Sequence, residues 1–478
     1  MEYQGYLIAI LVVLYIFLIA RYIYNIIISY DNCNAVKTIS WIFAVVFFPV
    51  LGVIAYIIVG RNLTRRNIRF EKLRKEVDGY ISHRNKFVYE DNSRSAEKHK
   101  DLKHLLTCLC ELPVFPGNKV DFYANGEDKF RAMYADFETA TRYIHIIYYT
   151  VGGDETGIRF KDHLIKKHRE GVEVRIIYDD VGCNETPKHY FEELKEAGIL
   201  ITPFSPVKLF KSIRTINYRN HKKIVVIDGD ISYTGGMNVK DEYVKGLKWG
   251  VWRDTHVRIQ GPASLGLESV FLVDWYYAHQ EHLDYDRYFP RARSYGEYPI
   301  QVTTAEPFGE NSNILQGMFE TITRARKSVY IETPYFVPPD SILTAIRTTA
   351  LSGIEVVMVL PDRSDNAKVQ YASNSYISQL LSANVKVYRY TKGFIHSKLM
   401  VIDDEITIVG SSNMDTRSFE LNFECSIFIY DTRASEQAKN MIHTDIQDSY
   451  LLTQILWEKR TKWKKFVEAV FRLFSPLL

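Results

Sequence analysis

Two apolar stretches open the chain. Tyr6 to Ala20 is almost wholly apolar, Arg21 interrupts it, and Tyr22 to Ile28 continues the pattern. Ile39 to Val59 is a second run, without a single charge, and is long enough to span a bilayer as a helix. Pro49 and Gly52 inside it are tolerated in membrane helices, and Trp41 and Tyr56 sit near its ends, where interfacial aromatics belong. The first stretch has no basic leader and no small-residue cleavage site before Asp31, which argues against a cleaved signal peptide. Arg61, Arg65, Arg66, Arg69, Lys72, Arg74 and Lys75 follow the second run, whereas the connection between the runs offers Arg21 and Lys37. The positive-inside rule then predicts a multi-pass membrane protein: a hairpin of two transmembrane helices over residues 1–60, with the long remainder cytoplasmic.

After the hairpin the pattern changes. Residues 61–111 are polar, charged and helix-prone, and read as a basic juxtamembrane linker. From about Pro113, short apolar strand candidates alternate with helical patterns, and the arrangement occurs twice. Tyr143 to Thr150 (YIHIIYYT) matches Val329 to Phe336 (VYIETPYF), and Gly171 to Asp180 (GVEVRIIYDD) matches Gly353 to Asp362 (GIEVVMVLPD). Such βαβ-like units at so long a spacing predict an α/β fold of two lobes, residues 112–300 and 301–456, with a site between them rather than a solenoid. Residues 457–478 are basic and amphipathic, with Phe466, Val467, Val470, Phe471 and Phe474 at helical spacing. Two readings stand for them: a helix packed on the domain, or an interfacial helix on anionic lipid.

Each lobe ends in a hairpin that carries the candidate chemistry. In the second, His396 and Lys398 precede Asp403, and a Gly-Ser-Ser-Asn loop ends at Asn413. In the first, His221, Lys223 and Asp228 repeat the pattern, followed by Gly235, Gly236 and Asn238. The Asn follows the His at the same offset in both copies, so the match extends beyond the His, Lys and Asp themselves. Residues i and i+2 of a strand share a face, so each His projects beside its Lys from rigid backbone. An imidazole is a nucleophile or acid/base near neutral pH, and an ammonium with a small polar loop holds phosphate oxygens. Two such sets point to phosphoryl chemistry through a covalent phosphohistidine, one His attacking phosphorus and the other moving the alcohol's proton.

These residues resemble the paired HKD motifs of the phospholipase D superfamily, and with the N-terminal stretches the chain resembles the bacterial cardiolipin synthases of the two-HKD type. The resemblance implies two lobes related by a pseudo-twofold axis, each giving one motif to one cleft. It implies transfer of a phosphatidyl group from one phosphatidylglycerol to another, giving cardiolipin and glycerol, with His221 as nucleophile and His396 as general acid/base. Lys223, Lys398, Asn238 and Asn413 are expected to bind the nonbridging oxygens, with Ser411 as an added donor where the first copy has Gly236. Glu424 is expected to orient His396, and Asp254 to orient His221. Asp228 and Asp403 are read as structural salt-bridge partners within the motifs. The rivals are a phospholipase D using water or another alcohol, a membrane-tethered nuclease of the superfamily, and a catalytically dead scaffold, which two intact motifs disfavour.

Composition narrows these readings. The 478 residues are too many for one ordinary core, and a net charge of +3 is a weak basic excess for a nucleic-acid groove, so the expected partners are phosphatidylglycerol and anionic membrane lipid rather than nucleic acid. The five cysteines (33, 108, 110, 183 and 425) are scattered and odd in number, which suits a reducing compartment. Cys108 and Cys110 lack a second Cys/His pair, so no metal site is expected there. His279 and His282 lack a zincin glutamate and read as surface or packing residues; His145 and His256 lie in strand-like runs and read as core. No Walker or Rossmann loop is present, so no cofactor is implied. Oligomeric state is not encoded in any motif.

Overall fold

The structure, a computed structural model, describes residues 2–28, 35–57, 67–84, 98–206, 217–307 and 312–473. The chain divides into two compact units, Met1–Arg69 with Val207–Asn217, and Phe70–Pro206 with Tyr218–Leu478.

The first unit contains helices Glu2–Ile28, Ala35–Phe47 and Pro49–Ala55. The second apolar run is therefore not one continuous helix. Pro49 disfavours helical backbone at the residue before it, and Phe48 adopts φ −130° and ψ 66°. The two pieces nevertheless close on each other: a Cβ on Gly52 would lie 2.2 Å from the Ala44 carbonyl oxygen, an approach that only glycine permits. Ile26, Val45 and Tyr56 form a small core, and Trp41 packs edge-on to Tyr56 at 5.5 Å. Many other apolar side chains of this unit, among them Phe17, Phe47 and Leu51, are exposed. Among the described residues no helix is long and apolar enough to cross a membrane.

The second unit is built on one 16-stranded sheet. At its centre Val114–Tyr123 pairs antiparallel with Tyr298–Ala305. Outward from the former lie His256–Gln260, Ile231–Gly235, Lys223–Ile227, Tyr143–Tyr148, Glu173–Asp179 and Leu200–Phe204. Outward from the latter lie Asn422–Ile429, Ile406–Gly410, Leu399–Ile402, Ser328–Glu332, Glu355–Pro361, Lys386–Tyr390 and Ser449–Leu452. The order and the strand directions repeat on either side of the central pair, apart from the added last strand. Lys223–Ile227 and Leu399–Ile402 are buried along their whole lengths, as strands covered on both faces must be. Helix Ala263–His279 is buried from Ala263 to Trp275 and forms the packing layer of the first half. In the second half the core gathers Ile314, Ile331, Ile346 and Ile408, and it also takes Leu102 and Leu106 from helix Lys100–Cys110. Those two leucines share one face of that helix, so this part of the expected linker is a packed element of the unit.

Both motif hairpins turn through two consecutive residues of positive φ: Asp228 (53°) and Gly229 (73°), then Asp403 (53°) and Asp404 (61°). Such turns match the twist of the flanking strands and fix the register that places each His just before its strand.

Candidate active site

Each motif histidine sits where its own half reaches across to the other. Arg219–Asn220 pairs in parallel with Asn422 and Phe423, and His221 N donates to the Phe423 carbonyl at 2.9 Å. Gly393–Ile395 pairs in parallel with Val251–Arg253, and His396 N donates to the Arg253 carbonyl at 2.6 Å. The next residue along each receiving strand is a carboxylate. His221 Nδ1 lies 3.0 and 3.1 Å from the two Glu424 oxygens, and His396 Nδ1 lies 2.7 Å from Asp254 Oδ2. The expected pairing is thus corrected: Glu424 orients His221 and Asp254 orients His396. Each carboxylate follows the His of its own half in sequence, but the two short parallel pairs carry it to the His of the opposite half.

The carboxylates are held in turn. Glu424 accepts from Asn422 Nδ2 at 3.1 Å and from the Ser411 hydroxyl, while Asp254 accepts from Thr255 N at 2.7 Å. Ser411 is fully buried and serves Glu424 rather than facing a ligand, which corrects its expected role as a phosphate donor. Gly236 occupies the matching place in the first copy because Asp254 leaves no room: a Cβ there would fall 2.1 Å from its Oδ1.

Lys223 and Lys398 are also buried, and each ammonium donates to the carbonyl of its own motif His, the first at 2.6 Å. Lys398 Nζ additionally lies 2.8 Å from His396 Nδ1. The side chain of Asn238 is engaged, accepting from Thr150 N at 3.2 Å and donating to Tyr243 Oη at 2.7 Å, whereas Asn413 Oδ1 is buried with no hydrogen-bond partner among the described residues. Asp228 and Asp403 are structural, but among the described residues neither forms the expected salt bridge. Asp228 accepts from the backbone N–H groups of Thr141, Arg142 and Tyr143 at 2.8–2.9 Å, and Asp403 from those of Arg326, Lys327 and Ser328 at 2.7–3.0 Å. Each ties the motif turn to the start of the neighbouring strand, where those N–H groups would otherwise be unpaired.

His221, His396, Asn238 and Asn413 line one cavity of about 340 Å³. Its walls add residues that the motif reading missed: Tyr149, Tyr335, Trp252, Asn422, Arg219 and Arg417 among them. Arg219 lies two positions before His221, and Asn422 two before Glu424, so the i, i+2 rule that placed the lysines would have flagged them. Beneath the site, Lys222 pairs with Asp274 at 2.9 Å and Arg253 with Asp445 at 2.7 Å, all four buried. His145 (2.7 Å from Glu268) and His256 are core residues, as expected.

Burial pushes the His221 imidazole down to about 4 against the pull of Glu424, with Lys223 adding to the fall. Burial and then Lys398 lower His396, opposed by Asp254. Burial also brings the lysines down, Lys223 to about 7 and Lys398 to about 8. Glu424 and Asp254 remain below their ordinary values despite burial: His221 and Lys223 hold the first down, Lys398 and His396 the second. At neutral pH two neutral imidazoles therefore line the cavity, each with Nδ1 fixed by a charged carboxylate, which leaves Nε2 for the chemistry. That is the state a phosphorus nucleophile needs. The Nε2 of His396 lies 3.2 Å from Lys398 Nζ.

Residues 133–248 and 318–446 match the family described as cardiolipin synthase, PLD-like domain, and residues 7–61 match the one described as phospholipase D-nuclease N-terminal. The chain is 38% identical over 485 residues to a cardiolipin synthase of Listeria innocua, covering 99% of both chains. It is 39% identical over 463 residues to the major cardiolipin synthase ClsA of Bacillus subtilis, covering 95% of this chain and 96% of that one. Phosphatidylserine synthase from Haemophilus influenzae shares the fold, with a TM-score of 0.60 at 14% identity over 79% of this chain and 98% of that one. The duplicated hairpins, the two crosswise His–carboxylate pairs and the end-to-end similarity place this chain in the cardiolipin synthase family of PLD-like proteins.

Proposed function

We propose that the chain condenses two molecules of phosphatidylglycerol into cardiolipin and glycerol. The observation that carries the reading is the pair of neutral imidazoles opening on one cavity, each oriented by a carboxylate from the opposite half. His221 Nε2 attacks phosphorus of the first lipid and the bond to the headgroup glycerol breaks, its oxygen taking a proton from His396. The second lipid's glycerol hydroxyl then gives its proton to His396 and attacks phosphorus, and the P–N bond breaks to restore His221. His396 must hold a proton when the first glycerol leaves. The anionic diester supplies the reason, because a negative charge between the imidazoles raises the pKa that burial has lowered. The same charge stabilises the ammonium forms of Lys223 and Lys398. Purified protein given phosphatidylglycerol vesicles, without added metal or nucleotide, should release glycerol and form cardiolipin; phosphatidic acid as the sole product would make the chain a hydrolase instead.

The membrane hairpin belongs to the same proposal. It is supported by the match over residues 7–61, by the exposed apolar side chains of the first unit and by the basic residues after Gly60. A cysteine placed by Glu90→Cys should resist impermeant thiol reagents in intact cells and react after lysis; ready labelling in intact cells would invert the topology.

A further inference from the structure

We infer that the C-terminal helix is a second membrane contact, docked on the catalytic unit by one face and presenting an aromatic–basic face to an anionic bilayer. The inference rests on the lipid-substrate reading above, since a soluble substrate would give the face no purpose. Phe474 and the residues after it lie outside the described residues, so the argument stands on helix Lys462–Leu473.

The helix is fixed to the protein at several points. Just before it, Trp457 is buried, donates to Ser378 Oγ at 3.0 Å and carries the Arg460 guanidinium over its ring at 3.4 Å. Within it, Phe471 stacks on Tyr371 at 5.5 Å, and Glu468, 2% exposed, is paired with Arg460. Val467, Glu468 and Phe471 thus form the inward stripe, at the spacing of one helix face. A helix that merely caps a domain would be polar over the rest of its circumference. Here it is not. Trp463, Phe466 and Leu473 recur on a second stripe and are 71%, 57% and 76% exposed, with the Trp463 and Phe466 rings stacked at 5.6 Å. Ile455, in the short helix Gln454–Glu458 that precedes it, adds a side chain 72% exposed. Lys462, Lys465 and Arg472 form the adjoining stripe and Lys464 is exposed as well, while Glu468, the helix's one acid, is turned inward. Apolar and cationic stripes side by side on an exposed helix are what an anionic interface takes up: the rings enter the headgroup boundary and the ammonium groups remain with the phosphates. A protein partner of opposite character would need an acidic rim around an apolar groove, but a phosphatidylglycerol surface offers both properties over its whole area and holds the substrate.

The test uses the full-length chain. Phe466→Cys, labelled with an environment-sensitive fluorophore in an otherwise cysteine-free background, reports burial directly. In proteoliposomes containing phosphatidylglycerol the probe should shift to the blue and be shielded from iodide, and that shielding should weaken as salt rises; in phosphatidylcholine alone, shielding should be weaker and insensitive to salt. In parallel, Trp463→Glu with Phe466→Glu should slow cardiolipin formation in vesicles by about tenfold or more, yet leave turnover of a water-soluble short-chain phosphatidylglycerol within about twofold. A probe that stays open to iodide in anionic vesicles overturns the inference, as does an equal loss on both substrates. A probe already shielded in detergent, with sedimentation showing a dimer, also overturns it by making the face a contact between copies. Failure of the parent protein to form cardiolipin in either system would instead strike the functional reading and leave the probe result to be judged by itself.

Discussion

The two ends of the catalytic cavity come from one duplicated hairpin, yet their walls differ. Aligning His221 with His396 sets Arg219 against Phe394, Gly236 against Ser411 and Glu242 against Arg417. Around His396 the rings of Trp252, Phe394, Tyr243 and Tyr335 stand at 5.2, 5.6, 6.2 and 6.2 Å. Around His221 the Tyr149 ring stands at 4.9 Å, and Arg219 and Arg417 act on the same tyrosine. What stayed alike is what both transfer steps require, an imidazole with its far nitrogen held by a carboxylate. What diverged is the lining. The duplication supplied equivalent chemistry, and the walls distinguish the ends, so tests that treat the halves unequally are the informative ones.

The histidines set the largest effect. Replacing either with Ala should lower turnover by about two orders of magnitude or more, because losing the nucleophile ends the covalent route and losing the acid/base costs about 10²–10⁴-fold. The two variants should part company on a p-nitrophenyl phosphodiester, whose leaving group needs no proton. His396→Ala should accumulate acid-labile, base-stable phosphate on the protein, and His221→Ala should not. An adduct on His221→Ala mapped to His396 would exchange the roles of the two ends and leave the reaction class standing.

The carboxylates come next. Glu424→Gln and Asp254→Asn keep the shape of each pair but remove the charge that fixes the tautomer, so each should cost on the order of 10²-fold in kcat. Position along the chain assigns Glu424 to His396; the structure assigns it to His221. Nitrogen NMR of labelled imidazoles separates the two. Glu424→Gln should move the His221 resonances and leave those of His396 nearly still, and Asp254→Asn should do the reverse. Movement of His396 in Glu424→Gln would undo the crosswise pairing.

That pairing also marks where sequence reading stops. His221, Lys223, His396, Lys398 and both asparagines could be found from a repeated spacing, because strand periodicity alone places residues i and i+2 on one face. The α/β class could be found from the repeated strand and helix patterns. Which carboxylate meets which histidine could not, because it depends on two very short parallel pairs, Arg219–Asn220 and Gly393–Ile395, too brief to leave a hydrophobic period. Ser411 misled for a related reason. A hydroxyl beside a phosphate-type loop suggests a ligand donor, and only the fold reveals that Glu424 takes it. Pro49 was legible in the apolar run as a residue that membrane helices tolerate, but not as a break at Phe48, because a proline constrains the residue before it without fixing whether the helix kinks or stops.

A smaller effect follows from the lysines. Burial leaves Lys223 at about 7 and Lys398 at about 8, so in the free enzyme the His221 end loses its ammonium first as pH rises. kcat/KM should therefore fall more steeply above about pH 7, by up to about a further tenfold per unit. This adds to the earlier loss of the His396 proton that the leaving glycerol needs, whereas protonation of His221 becomes limiting only near pH 4. Lys223→Arg keeps the charge at all these pH values and should move the alkaline limb toward the Lys398 value, at some loss of plateau rate because the guanidinium is larger. An unmoved limb would mean that the first ammonium does not control it. Stability carries the opposite sign. An unfolded chain holds the Lys223 proton up to about pH 10.5, so between pH 7 and 10.5 the unfolded state binds more protons and the folded state gains stability as pH rises. Lys223→Met should then stabilise the fold at pH 7 by on the order of a few kcal/mol while abolishing turnover.

The smallest effect on turnover is expected where the motif itself would predict a large one. Asp228 and Asp403 complete both copies of the HKD pattern, yet each accepts hydrogen bonds from three consecutive backbone N–H groups at the start of the neighbouring strand, and each occupies a left-handed turn position. Neither lines the catalytic cavity. Asp403→Asn keeps an acceptor and tolerates φ of +53°, so it should cost about 1–2 kcal/mol. Asp403→Ala strands the N–H groups and adds backbone strain, so about 2–4 kcal/mol is expected, read as a drop of several degrees in the unfolding midpoint. Below that midpoint, kcat on a short-chain substrate should stay within about twofold of the parent in both variants. Asp228 accepts one donor more, the Thr141 hydroxyl at 2.9 Å, so Asp228→Ala should be the slightly less stable of the two alanine variants. A loss of kcat beyond tenfold in folded Asp403→Asn would return this aspartate to the chemistry and make the second half-site more than a copy of the first.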